Sequence, residues 1–349
     1  MIHFVLTFSN DARNSPFAQA LSALGVDYKI FSEKILLRYR YRIWLLLAGW
    51  PKLAWFAARM AWRSMIHSKP APDVVVLGTH IEALIFGLVR ALIPMNKPRL
   101  YLLGFIYTSR NNRRLDMIRK FYFTTVFSFL EGVICHSTKE QEDYSRIFKR
   151  SRTKFLFVPY GLHLHGHEKY ANGRPLPTAS EVAPYAFSAG RSGRDYKTLF
   201  EAFAKLDLPL HVICDSEAAL MGCTQTGKTK VLRSCYDDCY FNQLKDADLV
   251  VVPLAVDDIS AGQMVMIQAM AFHKPIILTR TPTITDYVQH AEEAYLVPPG
   301  DPQAISDAVM LLNENPGLAA QLADKGYKAY VTKYSMPAYV KHIVTAVQA

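Results

Sequence analysis

A short loop rich in arginine and glycine carries residue types suited to holding an anion. The stretch FSAGRSGRDYKTL follows an apolar run and precedes a predicted helix. Glycine lets the backbone approach a ligand closely, while arginine offers paired donors and lysine a point charge to phosphate oxygens. A solvated loop without a ligand is the alternative. The candidate diphosphate-binding side chains of this loop are Arg191, Arg194 and Lys197.

A second loop, within DDISAGQMVMIQAMAFHKPII, opens a helix predicted over residues 262–273. Ser260 is a suitable N-cap, and the unbonded N–H groups beside the positive helix end suit a diphosphate. Gln268, eight residues after Ser260, carries an amide that can bond a ribose hydroxyl. An ordinary capped helix packed on a sheet is the alternative. The expected backbone donors are those of Gly262, Gln263 and Met264.

Histidine, cysteine and acidic side chains show no metal-binding spacing. Cys235 and Cys239 have no second Cys or His pair at a matching distance, and the three histidines of 163–167 have no acidic companions. The Asp-Asp pairs at 237–238 and 257–258 are interpreted as solvated loops. We therefore expect no metal and no other cofactor.

The elements around these loops alternate between apolar runs and helical stretches. Such runs predict buried parallel strands, and two successive series of them suit a chain of 349 residues better than one core does. The prediction is an α/β protein of two Rossmann-like, doubly wound domains facing a cleft, with ligands at the carboxyl ends of the strands. The domains are expected at 1–172 and 184–335. The predicted strands are 2–8, 73–78, 100–105, 132–135, 154–158, 185–189, 210–214, 249–252, 276–278 and 294–297, and predicted helices include 17–24, 81–92 and 196–206.

Composition and charge bound the class of protein and its partners. Half of the residues are hydrophobic, which excludes a disordered chain. The net charge of +10 is uneven, because residues 1–183 hold 26 basic and 12 acidic side chains and the rest hold 14 and 18. An anionic partner is therefore expected for the first half only. Five cysteines without a framework spacing, and no signal-peptide pattern, favour a reducing cytoplasm.

The stretch 34–69 suits an anionic membrane surface. It holds eight Lys or Arg, no Asp or Glu, and all four tryptophans of the chain, and Pro51 divides it into two helical pieces. Its longest uncharged run has nine residues, against about 20 needed to span a bilayer. The alternative is a core-facing helix with solvated arginines, and no nucleic-acid module is present. The expected membrane-surface residues are Arg38, Arg42, Trp44, Trp50, Lys52, Trp55, Arg59, Trp62 and Arg63, with a second basic patch of Arg110, Arg113, Arg114, Arg119 and Lys120 beside residues 121–123.

From residue 184 onward the chain resembles glycosyltransferase family 4, the retaining GT-B enzymes that use nucleotide-sugars. The matching segments are GRSGRDYKTLFEAF, LKDADLVVVPL, GQMVMIQAMAFHKPIILT and DYVQHAEEAYLVPPGDPQAISDAVMLLNENP. The resemblance also covers the proline–X–glycine at 159–161 and a terminal helix over 336–347, which in the family packs back on the first domain. It implies transfer of a sugar from a nucleotide-diphosphate-sugar donor without a metal and with retention of configuration.

The sequence departs from the family at positions that hold the donor. The family has two Glu residues eight apart at the second loop, where this chain has Ser260 and Gln268, and the phosphate-binding pair Arg191 and Lys197 is six rather than five apart. Ser260 is thereby assigned to the donor sugar and Gln268 to the ribose, and no catalytic base is assigned. The basic, tryptophan-rich helices suggest a lipid-linked or glycolipid acceptor, as in polysaccharide assembly at the inner face of a membrane. The alternatives are a degenerate protein that binds nucleotide without catalysis and a membrane-surface scaffold.

Overall fold

The computed structural model of the protein describes residues 1–7, 15–33, 48–92, 97–109, 112–164, 183–225, 228–255 and 260–349. These residues form two compact units. Unit 1 consists of Met1–Val158 together with Val340–Ala349, and unit 2 consists of Pro159–Tyr339. The segment 163–184, which the sequence indicates as a linker between two domains, lies mostly outside the described residues.

Unit 1 is built, within its described residues, on a parallel six-stranded sheet of order β2-β1-β3-β4-β5-β6. Its inner strands are fully buried apolar runs such as VVVL and GVIC, and five strands lie where the sequence predicted them. The half-buried β2 was not predicted. The strands are β1 (Ile2–Leu6), β2 (Tyr28–Ser32), β3 (Val74–Leu77), β4 (Arg99–Leu102), β5 (Gly132–Cys135) and β6 (Phe155–Phe157).

Helices of unit 1 begin at polar residues that bind the first backbone N–H groups. Ser15, Asn112 and Ser137 each cap a helix in this way. Pro51 stands in the first turn of its helix, as predicted. Four of the helices contribute large side chains to one shared core with the sheet. The helices are α1 (Pro16–Ala23), α2 (Trp50–Ala61), α3 (His80–Leu92), α4 (Arg113–Ser128) and α5 (Thr138–Phe148), and a π-helical turn, Trp62–Ile66, follows α2.

Unit 2 holds a second parallel sheet, six-stranded in the described residues and of order β12-β11-β10-β7-β8-β9. Five strands were predicted, and the edge strand β9 was not. The strands are β7 (Ala186–Ala189), β8 (Leu210–Ile213), β9 (Thr229–Leu232), β10 (Leu249–Val252), β11 (Ile276–Thr279) and β12 (Tyr295–Val297). The helices are α6 (Tyr196–Phe203), α7 (Glu217–Leu220), α8 (Asp238–Asp246), α9 (Gln263–Ala271), α10 (Pro302–Glu314) and α11 (Pro316–Ala329). The last helix, α12 (Met336–Gln348), begins in unit 2 and belongs to unit 1 from Val340 onward.

Both sheets reverse their strand order at one point, so the predicted doubly wound fold is confirmed. In unit 2 the chain runs outward from β7 to β9 and then returns to continue from β10 to β12 on the other side of β7. Ligands of doubly wound sheets bind outside the carboxyl ends of the strands at such a reversal. The reversal in unit 2 lies between β7 and β10, whose following loops are the two that the sequence singled out.

Candidate functional site

The loop after β7 is held in shape by Arg194. Its Nε donates to the carbonyl of Ala189 at 2.8 Å and its Nη1 to that of Ser192 at 3.0 Å. Gly190 has a φ of +112°, and a Cβ there would lie 2.4 Å from the arginine Nη2, so only glycine allows the guanidinium group to lie across it. Burial lowers the pKa of Arg194, and the nearby Tyr196 and Tyr240 partly oppose that fall. Arg194 therefore organises the loop, whatever it also offers to a ligand.

This loop is tied to the end of β10 by backbone hydrogen bonds. The N–H of Asp195 donates to Pro253 at 3.2 Å, and the N–H of Ala255 donates to Gly193 at 3.0 Å. Leu254 lies between these two bonds, opposite Arg194. Its methyl groups lie 3.1 and 3.2 Å from the position that a Cβ of Gly262 would take. The two candidate loops therefore converge, with Leu254 in contact with both.

The helix predicted to begin near Ser260 begins at Gln263. Its N-cap is Gly262, with a φ of +93° and no side-chain cap, so the prediction of Ser260 as N-cap was wrong. Glycine easily adopts this left-handed backbone conformation, and the close approach of Leu254 leaves no room for a side chain there. The first helical hydrogen bond runs from Met266 to Gly262. The N–H groups of the preceding turn have no acceptor within the helix, which makes them candidate donors to a ligand.

Gln263 adds a side-chain donor at this helix end. The residue is 7 % exposed, and its Nε2 has no hydrogen-bond partner among the residues that the structure describes. A buried amide donor without an acceptor costs about 1–3 kcal/mol, which a bound acceptor would recover. Met264, the next residue, has a side chain that is 54 % exposed.

Gln268 is oriented by a residue that the sequence did not reveal. Its Oε1 accepts a hydrogen bond of 2.6 Å from the hydroxyl of Tyr240, which packs edge-on against Phe187 of β7. Burial raises the pKa of Tyr240, and the positive charge of Arg194 opposes that rise. Arg194, Tyr240 and Gln268 are thus neighbours. The amide N–H groups of Gln268 can donate to another group.

Arg191 and Lys197 have exposed side chains. Arg191 acts on Asp215, whose pKa is lowered chiefly by the hydroxyl of Tyr236 and the N–H of Ser234, and to a smaller extent by Arg233 and Arg191. Lys197 is the second residue of α6. Unlike Arg194, both can move to meet an anion.

A disulfide joins Cys235 to Cys239 just before Tyr240. The sequence spacing did not suggest this pair. Two residues in or beside its loop, Ser234 and Asp237, have φ values of +53° and +47°, which non-glycine residues rarely adopt. The disulfide therefore closes a constrained turn at the start of α8, the helix that carries Tyr240.

A separate cavity of about 520 Å³ lies between β12 and α10. Its polar lining residues are Arg280, His290, Tyr295 and Asp307. None of the candidate ligand-binding residues lines it. No group of three or more His, Cys, Asp or Glu side chains in the described residues is arranged to hold a metal ion.

The strand ends of unit 1 carry polar side chains that are already paired. The hydroxyl of Tyr107 donates to Asp116 at 2.7 Å, and its burial raises its pKa to about 12. The Nδ1 atoms of His80 and His136 lie 2.9 Å from the hydroxyl of Tyr122 and from the carbonyl of Val158. Burial lowers the pKa of both histidines, which favours their neutral forms. Arg110 lies outside the described residues.

Glu82, at the start of α3, is fully buried at the reversal between β1 and β3. Its Oε2 accepts the N–H groups of Gly78 and Thr79, each at 2.9 Å, whereas its Oε1 has no partner among the described residues. Burial raises its pKa to about 8 despite those two bonds. Glu82 therefore carries a proton in the folded protein at neutral pH for much of the time.

The described part of the predicted membrane surface is exposed. Trp50, Trp55 and Trp62 are 46 %, 72 % and 56 % exposed, while the opposite face of α2 is buried. The side chains of Lys52, Arg59 and Arg63 are also exposed, and Arg59 pairs with Glu33. Arg38, Arg42 and Trp44 lie outside the described residues. No described helix is both long enough and apolar enough to cross a bilayer.

Residues 190–315 match the family model for "Glycosyl transferases group 1". This segment holds both candidate loops, and the match supports the resemblance to family 4 that the motifs indicated. No curated protein matches the sequence.

Solved structures share the fold of the whole chain. Sucrose-phosphate synthase from Thermosynechococcus elongatus has a TM-score of 0.68 at 16 % identity, covering 100 % of this chain and 98 % of its own. HepE from Anabaena, in complex with UDP and glucose, has a TM-score of 0.64 at 12 % identity, covering 100 % and 99 %. The lipopolysaccharide outer core galactosyltransferase WaaB has a TM-score of 0.60 at 14 % identity, covering 99 % of each chain. The predicted GT-B fold, with two Rossmann-like domains, is thereby confirmed.

Proposed function

We propose that this glycosyltransferase of the group 1 type transfers a hexosyl group from a nucleoside-diphosphate sugar to a lipid-linked saccharide at an anionic membrane surface. The observation that carries the donor half of this proposal is the convergence of the two loops of unit 2. Leu254 joins the loop of Arg191 to the N-terminus of α9 at the reversal of strand order. Positive charge and the N–H groups of a helix N-terminus thus meet where doubly wound sheets bind nucleotides.

The proposed diphosphate contacts come from mobile cations and fixed backbone donors. The N–H groups of Gly262, Gln263 and Met264, and the Nε2 of Gln263, are directed donors at a positive helix end. Arg191 and Lys197 are exposed cations on the adjoining loop and helix. Arg194 contributes charge to the site while its side chain holds the loop together.

The chemistry requires stabilisation of a leaving group rather than a strong base. As the bond from the anomeric carbon to the diphosphate breaks, negative charge grows on the phosphate oxygens, and preorganised donors stabilise it. Removing one such donor costs roughly 10²- to 10³-fold in rate. Because these donors already supply positive charge, we propose transfer without a metal, with the retention that the family resemblance implies.

Gln268 and Ser260 stand where the family has two glutamates. In the proposed site the amide of Gln268 donates to a ribose hydroxyl, while Tyr240 fixes the amide by binding its oxygen. Ser260, which lies two residues before the N-cap Gly262, is assigned to the donor sugar by the family resemblance.

The proposed acceptor is a saccharide carried by a lipid, and the proposed location is the cytoplasmic face of a membrane. The support lies in the exposed tryptophan and basic side chains of α2 and in the surplus of positive charge in residues 1–183. WaaB, which shares the fold, acts in the outer core of lipopolysaccharide. Polysaccharide or glycolipid assembly is the process that fits these features.

Thermal shift with UDP-glucose, GDP-mannose and dTDP-glucose tests the donor site directly. A ligand at 100 times its dissociation constant adds about 2.7 kcal/mol to the free energy of unfolding. We expect one of the three to stabilise the parent and to lose that effect with Arg191→Ala. If no nucleotide-sugar and no free nucleotide stabilises the protein, the donor site is refuted.

A second readout separates catalysis from binding. The glutamates of the family are replaced at both Ser260 and Gln268, which favours a degenerate, nucleotide-binding protein as the alternative function. Release of UDP, GDP or dTDP from the sugar donor that binds, measured with a membrane extract as acceptor source, distinguishes the two. Binding without any release would establish the degenerate protein.

A further inference from the structure

Helix α4 carries an apolar ridge on its solvent side, formed by Leu115, Met117, Ile118 and Phe121. These side chains are 54 %, 65 %, 61 % and 75 % exposed. At 100° per residue they occupy an arc of about 160° on the helix. Further along the same helix the exposed residues are polar, namely Thr125 and Ser128. The exposed apolar surface is thus confined to the first three turns of α4.

The opposite face of α4 holds the helix in this orientation. Phe123, Val126 and Phe127 are buried in the core shared with α3 and α5. Asp116 accepts from the hydroxyl of Tyr107 at 2.7 Å and pairs with Lys120 at 3.0 Å. A rotation that buried the ridge would expose these groups and break both contacts. The ridge is therefore a fixed part of the surface.

Helices α2 to α5 together present more positive than negative charge to solvent, because Glu142 of α5 is their one exposed carboxylate and it pairs with Arg152. The acidic residues in α2, α3 and α4 are Glu82 and Asp116, which are 0 % and 8 % exposed. The exposed cations of these helices and of the turn that follows α2 are Lys52, Arg59, Arg63, Arg113 and Arg114. An apolar ridge flanked by cations matches an anionic lipid surface, with basic groups at the headgroups and apolar groups below them. A second copy of the chain would instead bring like charges together.

The ridge lies at the ligand-binding end of the sheet of unit 1. In a parallel α/β sheet the helix after a strand begins near that strand's carboxyl end, and α4 follows β4. Ile106, in the segment between them, is 59 % exposed. By contrast, the exposed Leu88 and Leu92 lie at the far end of α3, toward the amino ends of the strands.

We propose that the first three turns of α4 insert into an anionic leaflet, so that a lipid-borne acceptor reaches the carboxyl end of the unit 1 sheet directly from the bilayer. The acceptor part of this inference rests on the proposed function, whereas the insertion does not. Membrane contact through α2 places tryptophan and cations at the headgroups, and α4 supplies the element that enters the apolar layer.

Flotation with vesicles tests the insertion. The vesicles contain phosphatidylcholine with or without phosphatidylglycerol, and the test variant combines Ile118→Ser with Phe121→Ser. We expect its partition into phosphatidylglycerol vesicles to fall roughly 10- to 100-fold, because two large apolar side chains no longer leave water. The matched control combines Leu88→Ser with Leu92→Ser and should float like the parent. Equal flotation of the test variant and the parent would overturn the insertion.

Two further measurements distinguish membrane insertion from self-association and from loss of donor binding. Light scattering after gel filtration tests whether the ridge binds a second copy of the chain. If the parent is a dimer, the test variant is a monomer and neither floats, the ridge serves self-association and the proposal is overturned. Thermal shift with UDP-glucose, GDP-mannose and dTDP-glucose in the absence of vesicles should be the same for the test variant and the parent. A parent that floats through α4 but binds no donor would refute the proposed function and leave the insertion standing.

The route of the acceptor is tested by comparing two forms of it. Transfer to acceptor lipids embedded in phosphatidylglycerol vesicles should fall in the Ile118→Ser, Phe121→Ser variant by the same factor as flotation. Transfer to a short-chain, water-soluble form of the acceptor should stay at the parental rate. Equal losses with both forms would show that the ridge acts on the fold or the site, which would overturn direct entry from the bilayer.

Discussion

Truncating the two arginines of the loop after β7 should have different consequences, a loss of stability for Arg194 and a loss of sugar transfer for Arg191. Arg194→Ala removes two hydrogen bonds from a charged donor to the carbonyls of Ala189 and Ser192. Bonds of this kind contribute about 1.5–3 kcal/mol each, and relief of the buried charge offsets part of the loss, so we expect about 3 kcal/mol of destabilisation. For a unit of this size that corresponds to a fall in Tm of roughly 6–12 °C.

Arg191→Ala should leave stability almost unchanged, because the side chain is exposed. A substitution of this type stays within about 0.5 kcal/mol of the parent. The rate of sugar transfer should fall roughly 10²-fold, because the substitution removes a cation that stabilises the departing diphosphate. The matched control is Lys205→Ala, which removes an exposed cation two residues after the end of α6 and should alter neither property.

Differential scanning calorimetry and a sugar-transfer assay, run on the three variants and the parent, give the comparison. The reasoning requires stability to fall in Arg194→Ala and transfer to fall in Arg191→Ala. A stable Arg194→Ala protein would show that the guanidinium group does not organise the loop. A fully active Arg191→Ala protein would show that the diphosphate does not lie beside this loop.

Three other substitutions probe separate features of the structure. Gly262→Ala should cost about 2 kcal/mol and weaken nucleotide binding, because φ is +93° and Leu254 crowds the new Cβ; Gly300→Ala, with a φ of +67° and open space around it, is the calorimetric control that should cost less. Tyr240→Phe should lower nucleotide affinity roughly tenfold in titration calorimetry by freeing the amide of Gln268, and an unchanged affinity would contradict that positioning role. The pKa of Glu82 is about 8 in the folded protein, against an ordinary value of 4.5 in the unfolded chain. Between these two pH values the folded state binds more protons than the unfolded state, so the parent should lose about 2–4 kcal/mol of stability as pH rises through this range. Glu82→Gln should remove most of that slope in thermal unfolding followed from pH 5 to 9, and equal slopes would refute the assignment.

The inner strands were predictable because each is a short run of apolar residues buried on both faces. The two missed strands lie at sheet edges and lack such runs. β2 reads YKIFS and β9 reads TKVL, and their residues are half-buried or exposed. Each of these edge strands forms because it pairs with a neighbouring strand, and its own residues do not indicate that pairing.

The candidate site was predictable in its loops but not in its side-chain partners. Glycine spacing and charge located both loops. They did not show that Arg194 turns back onto the carbonyl of Ala189, or that Gly262 rather than Ser260 caps α9. Tyr240 reaches Gln268 across 28 residues of sequence, and nothing local in either segment indicates the contact.

The path of the chain also sets an order of events during synthesis. Residues 340–349 belong with unit 1 although all of unit 2 precedes them, and Val340, Ile343 and Val347 are completely buried. A nascent chain on the ribosome therefore cannot finish its first unit until its second has been translated. A premature stop codon just after Tyr339 would remove part of unit 1 and leave all residues of unit 2 in place.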